Sequence, residues 1–326
     1  MAAAPPAWRS PSPPITIGIS ACLLGEEVRY DGGHRKDSYI TGVLGRYFSW
    51  VSVCPEMEIG LGAPREAVRL VGDPVRPRMV ATQSGRDLTD TMAAYARRRV
   101  DALAREGLSG YLLKRASPSC GMERVPIYTE AGLASGAGSG LFARALLDAL
   151  PLLPVEEEGR LIDPRLRDNF ITRVFAFRRL TALRGSAPGP SDIVAFHTAH
   201  HYLLLAHSPS EHMRLGRLLA AVRSGPRPDL LERYSEGFMR ALAVPASTRK
   251  HVEVLEHILG LFKSRLGAGE GRELTDRIGD FTLGLVPLIV PITLINHHVS
   301  RFRISEAADQ VYLHPDPRET MLRNST

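Results

Sequence analysis

Short, nearly continuous apolar blocks alternate with amphipathic stretches over the first half of the chain. Residues 15–21, 48–53, 110–114 and 152–155 are rich in β-branched and aliphatic residues and predict four strands. Between the second and third, residues 87–106 place Met92, Tyr95, Ala96, Val100 and Leu103 at helical spacing behind Asp87 or Thr89 as a cap. Residues 139–150 predict another helix, entered from a glycine-rich turn over 132–140. Strands alternating with helices predict an α/β domain with a parallel sheet and flanking helices. The pattern changes near Asp163. Residues 169–183 predict a connecting helix, 184–190 a linker, and the remainder an α-helical bundle over 193–206, 211–223, 229–243, 252–266 and 281–299. The expected division is a disordered tail at 1–14, an α/β domain at 15–162, a connecting helix and linker at 163–190, and an all-α domain at 191–326.

Composition adds little to this except through cysteine and charge. At 326 residues two domains are expected. No apolar stretch reaches the roughly 18–20 residues of a membrane span, and the Pro- and Ala-rich start has no signal core. No membrane association and a reducing, cytoplasmic location are therefore expected. Lysine and arginine equal aspartate and glutamate over residues 1–164, 19 against 19, whereas residues 165–326 hold 22 against 16. The net charge of +6 thus belongs to the helical half, which fits an anionic partner.

The three cysteines, Cys22, Cys54 and Cys120, are too few and too widely spaced for a disulfide framework. Cys22 and Cys54 directly follow a predicted strand, and Cys120 follows the third by a short Ser-Pro turn. The carboxyl ends of parallel strands are where ligands bind, so the topology can gather all three. Three isolated thiolates suit an iron–sulfur cluster with one open position better than a four-ligand zinc site; buried structural cysteines are the alternative.

The blocks around them, Ser20-Ala21-Cys22-Leu23-Leu24-Gly25 with Val28-Arg29-Tyr30-Asp31-Gly32, Cys54-Pro55-Glu56, and Ser117-Pro118-Ser119-Cys120-Gly121, resemble the thiouracil desulfidase family. The resemblance implies a [4Fe-4S] cluster on Cys22, Cys54 and Cys120 with one open iron, and non-redox removal of sulfur from thiolated pyrimidines. It further implies Glu56 as the acid/base residue and Ser117 as the catalytic serine. Arg29, Tyr30 and Asp31 are candidates for substrate binding, Tyr30 by stacking on a base. Arg65 and Arg69 are expected to pair with Glu58, Glu66 or Asp73 rather than to meet phosphate.

In the helical half, Phe196-His197-Thr198 and the segments Tyr202 to Pro209, Lys250-His251 and Pro287 to Pro291 resemble the YbgA-like domain. Desulfidase domains carrying this fusion resemble enzymes that act on 4-thiouridine in tRNA, with the helical part gripping the RNA. Arg214, Arg217, Arg249, Lys250 and Lys263 are candidate RNA contacts, and no obligate protein partner is implied. His197 and His201, four apart, share a helix face as a metal pair would, yet without a third ligand helix packing is the better reading. Two alternatives remain: a desulfidase of free thiopyrimidines, and a cluster-based redox or iron sensor that binds nucleic acid.

Overall fold

The computed structural model describes residue 8, residues 14–221 and residues 229–324. The chain divides into two compact units, Pro11–Phe170 and Ile171–Thr326, the latter together with the first ten residues. The division falls inside one long helix, Pro164–Gly185.

The first unit is built on a four-stranded, all-parallel sheet of β1 (Ile15–Ser20), β2 (Phe48–Val53), β5 (Gly110–Leu113) and β8 (Val155–Glu157), in the order β2-β1-β5-β8. β1 and β5 are buried almost throughout, as strands covered on both faces must be. Helices α3 (Thr89–Leu103) and α4 (Leu141–Ala149) pack on each other; α3 buries the five apolar positions expected from its spacing, and α4 buries Phe142, Ala143 and Leu146. Two short helices flank β2: α1 (Ser38–Gly42) lies in the crossover from β1 to β2, and α2 (Pro55–Glu58) follows β2 directly. The order of strands reverses between β1 and β5, which opens a crevice beyond their carboxyl ends.

A second sheet was not foreseen. It contains β3 (Val68–Val71), β4 (Arg78–Ala81), β6 (Val125–Tyr128) and β7 (Ala134–Gly138) in the order β4-β3-β6-β7, parallel only between β3 and β6. The glycine-rich stretch expected to be only a turn forms β7, paired antiparallel with β6.

The second unit contains helices and turns only, among its described residues. After α5 (Pro164–Gly185) come α6 (Pro190–Ala199), α7 (His201–His207), α8 (Pro209–Ala220), α9 (Leu230–Ala243), α10 (Thr248–Gly260), α11 (Ala268–Thr282), α12 (Ile289–Phe302), α13 (Ser305–Ala308) and α14 (Pro317–Arg323). The helix expected over 193–206 is broken at His200, whose ring bonds back to the Phe196 carbonyl at 2.7 Å. The stretch expected over 281–299 is likewise divided, since Gly284 turns the chain with φ +74° after α11. Ser208 and Ser247 cap α8 and α10 by accepting from the backbone N–H groups of Glu211 and Lys250. Within the segment expected to be a tail, Trp8 is buried, its ring edge-on to Phe196 at 5.2 Å; residues 1–7 and 9–13 lie outside the described residues. No described helix is long and apolar enough to cross a membrane.

Candidate active site

Three strand ends deliver the three cysteines to one cavity of about 450 Å³. Cys22 lies in a 3-10 turn directly after β1, Cys54 is the N-cap of α2 after β2, and Cys120 follows β5 through the turn at 114–119. No disulfide joins them. Ser20, the last residue of β1, ties two of these strand ends together by accepting from the Lys114 backbone N–H at 3.0 Å.

Burial controls the thiols. It pushes Cys22 up to about 11 against the opposing pull of Lys114, and it raises Cys54. Cys120 is held well above its ordinary value by burial, with the Ser20 hydroxyl opposing and Glu56, Cys54 and Cys22 adding to the rise. Neutral thiols are poor nucleophiles. Binding of a thiophilic cation would compensate the charge and release the protons. Among the described residues no three His, Cys, Asp or Glu side chains form a group able to hold a single metal ion. The donors that line the cavity are three soft sulfurs, the ligand type that iron–sulfur clusters favour.

Glu56 is the cavity's fixed carboxylate. It sits in the first turn of α2, where the helix dipole favours negative charge. Its Oε1 accepts from the Ser119 hydroxyl at 2.7 Å, and its Oε2 is paired with the Arg65 guanidinium. The same guanidinium donates to the carbonyls of Val28 at 2.9 Å and Gly62 at 2.6 Å, anchoring the carboxylate to two loops. The expected pairings of Arg65 are thus corrected. Glu58 instead meets Arg99 at 3.5 Å, Glu66 accepts from Ser84, and Asp73 accepts from the Val75 N–H. Arg69 lies over the Tyr128 ring at 5.8 Å.

Ser117 also lines the cavity, and its Oγ accepts from the backbone N–H groups of Ser119 at 3.2 Å and Cys120 at 3.1 Å. With its acceptor side so occupied, the hydroxyl proton remains available for donation. Ser119, fully buried, was not singled out from the sequence. Its position inside the Ser-Pro-Ser-Cys block, immediately before a ligand candidate, was the available signal.

Of the loop candidates, Arg29 and Tyr30 line the cavity and Asp31 does not. Asp31 instead holds Arg29 at 3.3 Å, while the guanidinium lies 5.2 Å from the centre of the Tyr30 ring. Tyr30 is 46% exposed at the cavity. Lys114 completes the wall; its ammonium is paired with Glu158 and donates to the Arg115 carbonyl at 3.0 Å.

In the helical unit, Arg214 and Arg217 line a separate cavity between α8 and α9, whereas Arg249, Lys250 and Lys263 do not. Arg249 pairs with Glu253 on the exposed side of α10, the Lys250 ammonium donates to the His207 carbonyl, and Lys263 lies in a 3-10 turn. His197 and His201 meet a partner unforeseen from sequence, His212: the rings of His197 and His212 stack 5.0 Å apart, and His201 Nδ1 bonds His212 Nε2 at 2.9 Å. Burial, reinforced by the neighbouring rings, lowers both His197 and His201 to about 4. These are packed, mutually bonded rings.

A family model described as 2-thiouracil desulfurase matches residues 17–158, and one described as a protein of unknown function, DUF1722, matches residues 201–317. The chain is 30% identical over 138 residues to the uncharacterized protein YbbK of Bacillus subtilis, spanning 41% of this chain and 90% of YbbK. It is 27% identical over 162 residues to the uncharacterized protein YbgA of Escherichia coli, spanning 49% of this chain and 96% of YbgA. Among solved structures, that of the [4Fe-4S]-dependent thiouracil desulfidase TudS aligns with 32% identity over 46% of this chain and 94% of that one, at a TM-score of 0.38. Through its first unit the chain belongs to the 2-thiouracil desulfurase family, joined to a YbgA-like DUF1722 domain.

Proposed function

We propose that the chain is a desulfidase of thiolated pyrimidines that acts on 4-thiouridine in tRNA and holds a [4Fe-4S] cluster on Cys22, Cys54 and Cys120. When bound, such a cluster with one open iron supplies a Lewis acid for the thiocarbonyl sulfur. The overall change is a hydrolysis: the C=S carbon gains the oxygen of water, the sulfur leaves as sulfide, and no electrons are exchanged. Glu56 accepts the proton from the attacking water and returns it to the departing sulfur. Ser119 and Arg65 fix both oxygens of that carboxylate, so it needs no reorientation during the step. Ser117 donates its free proton toward the substrate or the water, and Tyr30 offers a ring face to the base.

The observation that carries this reading is the carboxylate clamped by Ser119 and Arg65 on the same cavity as three free thiols, two of them buried. The basic excess of the second half supports a polyanionic substrate. Free thiopyrimidine remains the second reading, because a cavity of about 450 Å³ lies within the range of small-ligand sites. The experiment is anaerobic incubation of cluster-loaded full-length protein with tRNA carrying 4-thiouridine and, separately, with free 2-thiouracil. Nucleosides are followed by mass spectrometry together with sulfide release. Conversion of the tRNA nucleoside to uridine supports the proposal; conversion of the free base alone replaces it with the second reading. No conversion of either, with the cluster intact, refutes it in favour of the sensor.

A further inference from the structure

The helical unit carries a second cavity, of about 370 Å³, that the chemistry at the cysteines does not use. Arg214 and Arg217 of α8 and Arg233 and Arg240 of α9 line it, against one lining carboxylate, Glu236. Sequence spacing alone gives only a pair of cations three apart on one helix. Close packing of the two helices brings in the second pair. A Cβ at Gly237 would lie 2.7 Å from Leu215 Cδ2, so glycine is what lets α8 and α9 approach. Leu215, almost fully buried, also lines the groove.

We propose that this groove binds the phosphodiester backbone of the RNA substrate. The inference rests on the RNA reading above and assigns its grip to specific residues. Arg233 and Arg240 are seven residues apart on α9, about 10 Å along the axis. That span exceeds a single small anion and can meet more than one phosphate of a strand. Guanidinium groups match phosphate oxygens in planar, two-pronged contacts, which lysine does not reproduce. The present partners are replaceable. Glu211 meets Arg214 at 2.8 Å and Arg240 at 3.4 Å, and Asp229 meets Arg233 at 3.3 Å. All three arginine side chains are at least half exposed, where such pairs contribute little. Arg217 is exposed and has no ion-pair partner among the described residues.

The test is fluorescence anisotropy of labelled, unthiolated tRNA with full-length protein over a series of salt concentrations. Binding is thereby read apart from desulfuration, so the groove and the reaction succeed or fail independently. Arg217→Gln and Arg233→Gln are each expected to weaken binding severalfold and to reduce the slope of log K against log salt by about 1. Arg217→Glu should weaken it further. Arg98→Gln, on the exposed face of α3, serves as the control for loss of any one positive charge. Equal affinity and slope for wild type and both groove variants overturns the proposal. So does an Arg98→Gln effect as large as theirs, or an absence of tRNA binding by the wild type. Circular dichroism and Tm matching wild type confirm that the variants are folded.

Discussion

Replacing Ser119 by alanine separates the acid/base machinery from the cysteine scaffold. The side chain is fully buried, and its hydroxyl donates the 2.7 Å bond to Glu56 Oε1, the proposed acid/base residue. Alanine fits the same space and removes only that donor, leaving Oε2 on Arg65. A hydrogen bond to a charged partner is worth about 1.5–3 kcal/mol. Expressed fully in the transition state, that loss lowers kcat/KM about tenfold to a hundredfold. The cysteine loop should survive, because the Cys120 backbone N–H rests on Ser117 Oγ at 3.1 Å and not on Ser119. The assay is anaerobic sulfide release normalised to iron per chain, with the visible spectrum as a record of the cluster. The account predicts unchanged iron and spectrum with the turnover loss just given. Wild-type turnover refutes the positioning of Glu56 by Ser119, and turnover falling only in proportion to iron makes Ser119 a scaffold residue.

Three further outcomes follow from the same contacts. Alanine at Cys22, Cys54 or Cys120 should each abolish cluster absorbance after reconstitution, measured beside total iron. Gly18→Ala should destabilise the first unit by 1–3 kcal/mol or more, since its Cβ would lie 2.2 Å from the ring of the fully buried Tyr111; denaturant unfolding measures it, and an unchanged midpoint contradicts the packing. His197 and His201, lowered to about 4, stay neutral in the fold while the unfolded chain takes up protons below about 6.5. Stability is therefore complete above that pH and lost as pH falls toward 4, so Tm should drop by several degrees across this window and His201→Gln should flatten the drop.

The sequence made the parallel sheet legible because β1 and β5 are buried apolar runs that no helix period explains, and β2 is rich in aromatic and β-branched residues. The second sheet escaped for the opposite reason. β3 and β4 lie in an arginine-rich stretch, and β7 is Ala-Ser-Gly-Ala-Gly, without a β-branched residue, so their pairing comes from tertiary context. α11 was missed because Gly269, Gly271 and Gly279 lower its helix propensity, whereas its folded form buries Leu274 and Ile278. At the site, the strand-end cysteines and Glu56 were readable from their motifs. The partners of Glu56 were not, since Arg65 is 9 residues away and Ser119 is 63, and only the fold closes those distances. The same limit hid His212 behind His197 and His201, and the α9 arginines behind those of α8.

Glu56 is also where the enzyme and the sensor part company. A sensor needs the cysteines and tolerates an amide in place of the carboxylate. A hydrolase needs the carboxylate to move protons, and Glu56→Gln keeps the side chain's shape and a contact for Ser119 while removing that capacity. The deciding measurement is sulfide release from tRNA carrying 4-thiouridine by wild type and Glu56→Gln protein, loaded to equal iron content. The account predicts that the variant loses at least 99% of the rate, about a hundredfold or more, with its cluster spectrum intact. Equal rates at equal iron would contradict it.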